Sequence, residues 1–258
     1  MIEAVIFDWA GTTVDYGCFA PVQAFREAFS HFGISVTMEE TRKPMGMLKR
    51  DHIRTMLKME RIAAEWEKVT GHAAGDKDVE VVYAQFEPKL FSILTDFAAP
   101  KPYVLDAVAQ LRAMGLKIGS TTGYTDAMMG VVVPKAAELG YAPDCWFSPD
   151  AVGGKGRPAP YMVFENMKAL GISDVKRVVK VGDTVSDIQE GINAGVWSVG
   201  VLEGSSELGL SQEEFEALTA EERNAACRKV EKTFRAAGAH FVIRNLSELS
   251  QLLRAIGV

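Results

Sequence analysis

Polar residues that could transfer a phosphoryl group follow three apolar runs of the chain. Asp8, Thr122 and Asp183 each stand just after a short apolar or β-branched run. An aspartate in such a position can attack phosphorus and form an aspartyl phosphate, although it can also cap a helix or lie in a turn. Ligands of open α/β sheets bind beyond the carboxyl ends of the strands. We therefore expect the three residues to converge on one site.

Neighbouring residues could bind the other parts of a phosphoryl group. The Thr122 hydroxyl and the backbone N–H groups at Gly123 suit a phosphoryl oxygen, or they form an ordinary turn. Asp183 and Asp187 are four residues apart and share one face of a helix. Two carboxylates so placed suit Mg²⁺, and the alternative is capping of that helix.

A cation is needed to balance charge between a phosphate and these carboxylates. Arg157 stands at the start of a proline-rich helix opening and is our candidate. Lys155 and Lys180 are alternatives for this role. Arg157 could also be a solvated residue at the end of a loop.

Strand-like and helix-like patterns alternate through most of the chain. Apolar runs of strand length end in polar or glycine-rich turns, and apolar residues between them recur at spacings of three and four. The predicted strands span residues 4–7, 116–120, 178–181, 196–201 and 241–243, and the predicted helices include 104–111, 158–170, 184–194 and 246–256. This alternation predicts an α/β fold with a Rossmann-like, mostly parallel sheet.

The alternation stops at residues 18–97, where the patterns indicate helices only. Thr37 and Glu40 have the spacing of a capping box, and residues 79–94 carry a long apolar stripe. We predict a helical cap domain over residues 18–97, inserted into a core domain of residues 1–17 and 98–258. Cys18 and Met45 could line a pocket beneath this cap, or they could simply fill space.

Composition and charge exclude several classes of protein. The chain has 258 residues, a net charge of −6 and 48% hydrophobic residues, which is typical of a globular enzyme and disfavours binding to nucleic acid or an anionic membrane. Three cysteines without metal-ligand spacing indicate a reducing compartment. No run is apolar and long enough for a membrane helix, and the first residues lack the pattern of a signal peptide. We expect a cytoplasmic protein.

The order and spacing of these residues resemble the haloacid dehalogenase superfamily of phosphotransferases. Asp8 matches the first motif of that superfamily, Thr122 the second, Arg157 the third, and Asp183 with Asp187 the fourth. The early helical insertion matches its cap position. The resemblance covers the whole chain.

The first motif departs from the phosphatases of that superfamily. They usually carry Asp-x-Asp, in which the second aspartate protonates an alkoxide leaving group, whereas this chain reads Asp8-Trp9-Ala10. Alanine has no proton to donate, so only its backbone carbonyl could serve, as a metal ligand. Either catalysis is lost, or the leaving group needs no acid. A carbon leaving group satisfies the second condition when a lysine imine accepts its electron pair.

Lys49 is the candidate for such an imine. Pro44 is expected to open a helix, which places Lys49 in an early turn where the helix dipole disfavours a cation. Burial under a closed cap would lower its pKa further. His52 is three residues on and shares the same face. The alternatives are a solvated basic stretch for Lys49 and a structural role for His52.

Five segments resemble the phosphonoacetaldehyde hydrolase family more specifically. They are residues 7–17, 42–49, 119–124, 181–187 and 204–210. The resemblance implies cleavage of the carbon–phosphorus bond of a small phosphonate, with Mg²⁺ as cofactor and a homodimer formed through the caps. It also implies that the lysine which forms the imine is Lys49.

Individual roles follow as hypotheses from this resemblance. Asp8 is expected to be the nucleophile, and it would bind Mg²⁺ together with the Ala10 carbonyl and Asp183. Asp187 is expected to support the metal site.

The phosphonate oxygens are expected to lie against Thr122, Gly123 and Arg157. His52 and Tyr124 are candidates for proton transfers, and Tyr124 could equally be a packing aromatic residue. Two other classes of protein stay open. One is a phosphate-ester phosphatase or mutase, which the missing acid at Ala10 disfavours. The other is a non-catalytic binding protein, which the presence of all four motifs disfavours because binding alone does not require them.

Overall fold

Six parallel strands form the sheet of the computed structural model, which describes residues 1–257. The strands are β1 (Ala4–Phe7), β2 (Lys117–Thr121), β3 (Cys145–Phe147), β4 (Val178–Gly182), β5 (Trp197–Val201) and β6 (Phe241–Ile243). Their order across the sheet is β3-β2-β1-β4-β5-β6, and every neighbouring pair is parallel. This confirms the predicted α/β fold. The predicted core domain extends to Val258, which lies outside the described residues.

Strand β1 lies at the centre of the sheet because all four of its side chains are apolar and fully buried. Phe7 pairs with Ser120 of β2 on one side and with Val181 of β4 on the other. The residues that follow these three positions therefore emerge at one edge of the sheet, as the sequence predicted.

Helices cover both faces of the sheet. They are α6 (Val104–Ala113), α7 (Asp126–Glu138), α8 (Tyr161–Leu170), α9 (Val185–Ala194), α10 (Gln212–Ala217), α11 (Ala220–Ala236) and α12 (Leu249–Ala255). Alternate side chains of β1 point to opposite faces. Val5 and Phe7 pack in one apolar cluster with residues of α6, α7 and α12, and Ala4 and Ile6 pack in another with α8.

Five helices and a short 3-10 turn (Leu94–Phe97) occupy residues 18–97, which we call the cap segment. The helices are α1 (Phe19–His31), α2 (Met38–Arg42), α3 (Lys49–Leu57), α4 (Glu60–Thr70) and α5 (Asp76–Ile93), and no strand lies among the described residues of this segment. The Phe25 ring of α1 stacks on Phe86 of α5 at 4.2 Å between centroids. The predicted capping box of Thr37 and Glu40 is present.

One strand was missed and two predicted helix starts were wrong. The edge strand β3 was missed because it has only three residues, and these are half-buried. Helix α8 begins at Tyr161 rather than at residue 158, because the preceding prolines lie in turns. Pro44 lies in a turn, and α3 begins at Lys49 instead. No helix among residues 1–257 is long and apolar enough to cross a membrane.

Candidate active site

Asp8 stands directly beyond β1 and is held by both its backbone and its side chain. Its backbone N–H donates to the Val181 carbonyl at 2.9 Å, and its own carbonyl accepts from Thr13 Oγ1 at 3.0 Å. Its Oδ1 lies 2.6 Å from Arg157 Nη1. The carboxylate is only 4% exposed, so its direction is fixed by these contacts.

Arg157 is the cation of this site. It is buried, and its Nη1 also lies 3.0 Å from Asp187 Oδ1. Although burial opposes the charged form, the carboxylates of Asp187, Asp8 and Glu190 raise the pKa of Arg157 above its ordinary value. The alternative Lys155 is exposed. Arg157 is therefore the residue placed to meet an anion beside Asp8.

Lys180, the other alternative, lies inside β4 and faces Asp187. Its Nζ is 2.6 Å from Asp187 Oδ1, and the Thr184 hydroxyl donates to Asp187 Oδ2 at 2.6 Å. Burial raises the pKa of Asp187, but Arg157 and Lys180 outweigh it and lower that pKa. Asp187 is thus a fixed negative charge at the start of α9.

Three buried carboxylates meet at this edge of the sheet. Oxygen atoms of Asp8, Asp183 and Asp187 lie within 4.8 Å of one another. Asp183 Oδ1 accepts from Thr12 Oγ1 at 2.8 Å, and its Oδ2 accepts from the Ser206 N–H at 2.8 Å. Burial and then the charges of Asp8 and Asp187 raise the pKa of Asp183. A divalent cation would relieve this repulsion.

The oxygen atoms at this cluster suit a hard divalent cation, which prefers oxygen ligands. Gly11 N–H donates to the carbonyls of Val14 and Asp15 at 2.8 and 3.1 Å. Because carbonyl and N–H point in opposite directions across a trans peptide, the Ala10 carbonyl points away from those residues. Ala10 itself lines the cavity beside Asp8. The carboxylates of Asp8 and Asp183 and the carbonyl of Ala10 are therefore suitable ligands.

A narrow cavity lies between the carboxylate cluster and the cap segment. It brings together most of the residues predicted from the sequence. Its lining residues are Asp8, Ala10, Cys18, Met45, Gly46, Lys49, Thr122, Gly123, Tyr124, Arg157 and Thr184. The cavity has an amine and a carboxylate in its wall.

Lys49 reaches this cavity from the first position of α3 and is 3% exposed. Its Nζ lies 4.9 Å from the centroid of the Tyr124 ring. Burial lowers the pKa of Lys49, and nearby Arg157 adds to this effect, whereas Cys18 and Asp8 oppose it. A lysine with a lowered pKa has more of the neutral amine that attacks a carbonyl.

His52 lies behind Lys49 rather than in the cavity wall. Its ring is fully buried, stacks on Phe25 at 3.9 Å between centroids, and places Nε2 2.8 Å from the Thr41 carbonyl. Its Nδ1 has no protein partner. Burial and the charge of Lys49 hold the pKa of His52 well below its usual range, so the imidazole is neutral.

Tyr124 and Thr122 belong to one turn beyond β2. The Tyr124 N–H donates to Thr122 Oγ1 at 3.0 Å. Burial raises the pKa of Tyr124 well above its usual range, so its hydroxyl keeps its proton. Cys18 and Met45 pack together in a small apolar cluster, and burial likewise raises the pKa of the Cys18 thiol.

Two glycines allow the cap segment to approach the core closely. Gly46 has a φ of +86°, and a Cβ there would collide with Thr184 Oγ1. A Cβ on Gly123 would lie 2.8 Å from the Met47 carbonyl oxygen. The cap loop thus rests directly on the turn after β2 and on the start of α9, which closes the cavity.

Sequence reasoning missed Glu190 and the residues that hold Asp183. Glu190 Oε2 accepts from Arg157 Nε at 2.9 Å and from Thr121 Oγ1 at 2.9 Å. Burial raises the pKa of Glu190 despite the nearby cations. Its spacing of three from Asp187 on one helix was a usable signal. Thr12 and Ser206 lie in loops and gave none.

Comparison with known proteins shows the family to which the chain belongs. A family model described as haloacid dehalogenase-like hydrolase matches residues 2–195. The phosphonoacetaldehyde hydrolase of Lysinibacillus sphaericus is 55% identical over 99% of this chain and 95% of its own length. That of Bacillus cytotoxicus is 50% identical over 99% of this chain and 96% of its own length.

A solved structure has nearly the same backbone. The crystal structure of a phosphonoacetaldehyde hydrolase-like protein from Oleispira antarctica superposes with a TM-score of 0.96 at 38% identity, covering 99% of this chain and 92% of that one. The sheet, the aspartate cluster and the family model together define a haloacid dehalogenase-like hydrolase. Within that class, the identities over nearly the full length show that the chain belongs to the phosphonoacetaldehyde hydrolase family.

Proposed function

We propose that this hydrolase cleaves the carbon–phosphorus bond of phosphonoacetaldehyde and releases acetaldehyde and phosphate. The observation that carries the proposal is one cavity lined by both the Lys49 amine and the Asp8 carboxylate. Ala10 lines the same cavity and leaves it without the second aspartate that an alkoxide leaving group would need. An imine on Lys49 removes that need, because it accepts the electron pair of the broken bond.

The substrate would lie with its phosphonate toward the sheet and its aldehyde toward the cap segment. Arg157, Thr122 and the N–H groups at Gly123 surround the phosphonate end. Mg²⁺ bound by Asp8, the Ala10 carbonyl and Asp183 would neutralise phosphonate charge. Lys49 then reaches the aldehyde carbon from the opposite wall.

The reaction divides into two covalent stages. The neutral Lys49 amine adds to the aldehyde, takes up one proton and loses water, which gives a protonated imine. Asp8 attacks phosphorus in line, and the electron pair of the carbon–phosphorus bond moves into the imine to give an enamine and an aspartyl phosphate. The enamine takes a proton on carbon, and water releases acetaldehyde from Lys49. A second water hydrolyses the aspartyl phosphate to free phosphate.

Proton transfers fall to the two groups near Lys49. Tyr124 keeps its hydroxyl proton, and its ring centroid lies 4.9 Å from Lys49 Nζ, so it is our candidate proton donor. His52 is neutral and its Nδ1 has no protein partner, so it is our candidate acceptor, and its low pKa means that it would hold a proton only transiently. These assignments rest on position and protonation state.

The test is reductive trapping of the imine. Borohydride with phosphonoacetaldehyde should add a reduced two-carbon group to Lys49, found by intact mass and peptide mapping. Because burial lowers the pKa of Lys49, trapping should reach half its maximal rate at a pH below the ordinary lysine pKa. Lys49→Arg should lose both the adduct and turnover, whereas the exposed Lys58→Arg serves as the matched control.

Two results would contradict the proposal. Near wild-type carbon–phosphorus cleavage by Lys49→Arg would exclude the imine from the mechanism. Turnover by Asp8→Ala would exclude the aspartyl phosphate. If folded, metal-loaded protein forms no adduct but hydrolyses small phosphate esters, it is a phosphatase instead.

We further propose a homodimer formed through the cap segments, in a cytoplasmic enzyme. The exposed Val69 and Val81 on this segment support an interface there, and free thiols at all three cysteines suit a reducing compartment. Light scattering coupled to gel filtration measures the molar mass in solution and so tests the homodimer.

A further inference from the structure

Lys101 is a buried lysine that the proposed reaction does not use. It lies where the chain returns from the cap segment, between Pro100 and Pro102. A buried ammonium requires an acceptor for each of its three protons. Its Nζ has three: the carbonyl oxygens of Gly11, of Glu203 at 3.0 Å and of Gly204 at 3.0 Å.

The two loops joined by this ammonium are the loops that hold Asp183. On one side, Thr12, the neighbour of Gly11, donates to Asp183 Oδ1. On the other, Ser206, two residues after Gly204, donates to Oδ2. Lys101 therefore bridges the supports of both carboxylate oxygens without touching the carboxylate itself.

The conformation of Gly11 makes this bridge sensitive to position. Gly11 has a φ of +92°, and a Cβ there would collide with the Asp183 carboxylate. Lys101 contacts this loop at two points, because its Nζ donates to the Gly11 carbonyl and its backbone N–H donates to the Thr13 carbonyl at 2.9 Å. A shift of Gly11 would move the surface on which Asp183 rests, together with the adjacent Ala10 carbonyl.

We propose that Lys101 is a positioning residue that sets the affinity of the metal site by clamping the two loops around Asp183. This inference rests on the proposed role of Asp183 as a ligand of Mg²⁺. Without the ammonium, three carbonyl dipoles would face one another in a buried space. The loops would then separate, and Asp183 would lose its fixed direction toward Asp8.

The test compares Lys101→Met with Lys117→Met. Lys117 also donates to a carbonyl, that of Leu170, but at the opposite end of β2. Each protein is freed of metal, and Mg²⁺ binding is measured by titration calorimetry beside metal-free thermal unfolding and the dependence of kcat on Mg²⁺. We expect Lys101→Met to bind Mg²⁺ at least tenfold more weakly and to recover most of kcat at saturating Mg²⁺. Lys117→Met should bind Mg²⁺ as the wild type does.

A merely structural lysine would give a different pattern. If Lys101→Met lowers the unfolding temperature but binds Mg²⁺ within twofold of the wild type, the proposal is overturned. Should Lys101→Met not fold, Lys101→Arg decides the question in the same way, because it keeps a cation but cannot reproduce the three-point contact. Asp183→Asn tests the metal site, and the trapping of Lys49 tests the reaction. If both give the expected result, a negative result with Lys101→Met contradicts the role of Lys101 alone.

Discussion

Each nitrogen of the Arg157 guanidinium has a partner that carries charge or a hydroxyl. Nη1 faces Asp8 and Asp187, Nε faces Glu190, and Nη2 donates to Thr121 Oγ1 at 2.6 Å. Because the guanidinium is planar and is contacted on every side, its orientation is fixed, and a ligand can approach it from one direction only. Glu190 contacts Nε rather than the Nη1 atom that faces Asp8, so we expect it to orient the guanidinium rather than to contact a ligand.

Glu190→Gln should therefore weaken binding of the product phosphate. A hydrogen bond between charged groups contributes about 1.5–3 kcal/mol, so we expect the inhibition constant of inorganic phosphate to rise about tenfold or more. Glu165→Gln on α8, which removes a surface ion pair with Lys168, is the control. An unchanged inhibition constant in folded Glu190→Gln would exclude this role.

The sequence predicted those site residues whose positions are determined by the strand that directly precedes them. Asp8, Thr122 and Asp183 each follow a strand, and parallel strands bring such residues to one edge. Glu190 was missed because its burial depends on Arg157 and Lys180, which come from other parts of the chain. His52 was placed on the correct helix, but whether it lines the cavity depends on how α3 packs against Phe25.

At the scale of elements, two contacts between loops set how closely the cap segment approaches the core. Gly46 contacts the start of α9, and Gly123 contacts the loop at Met47. Because neither position has a Cβ, the backbones can approach and bring Lys49 over Asp8. The turns from Pro44 to Leu48 make this contact, which is why the predicted helix start at Pro44 was wrong.

Gly46→Ala should obstruct this contact. It adds strain at a positive φ, of about 1 kcal/mol, and also a methyl group that collides with Thr184. Gly71→Ala is the matched control, since Gly71 has a φ of +80° and a methyl group added there would meet no neighbour within 4 Å. We expect kcat/KM of Gly46→Ala to fall at least tenfold below that of Gly71→Ala. Equal values in the two variants would show that the contact is not needed for turnover.

At the scale of the whole molecule, the active site concentrates buried charge of both signs. The carboxylates are Asp8, Asp183, Asp187 and Glu190, and the cations are Lys49, Lys101, Arg157 and Lys180. Arg157 contacts three of these carboxylates and Lys180 contacts two, whereas Lys101 contacts carbonyl oxygens. Among residues 1–257, no lysine or arginine forms an ion pair with Asp183, so this carboxylate is short of positive charge. Stability of the folded chain should therefore depend on added metal.

Mg²⁺ should raise the thermal unfolding temperature of metal-free protein. At 100 times Kd, binding to the folded state alone adds about 2.7 kcal/mol to the free energy of unfolding. Asp183→Asn should lose this shift, whereas Asp106→Asn, at an exposed position of α6, should keep it. Scanning calorimetry with and without Mg²⁺ measures both, and an undiminished shift in Asp183→Asn would place the metal elsewhere.

The central position of β1 also has a consequence for the order in which the chain folds during translation. β1 ends at residue 7, whereas its neighbours β2 and β4 begin at residues 117 and 178. The ribosome therefore makes Asp8 long before it makes the two strands that flank β1. The cap helices are synthesised in between, and their contacts span fewer residues than those of β1 with β2 or β4, as the contact of α1 with α5 through Phe25 and Phe86 shows. The nascent chain can thus form its cap before a sheet exists to receive β1, and the catalytic edge is completed only after β4 leaves the exit tunnel.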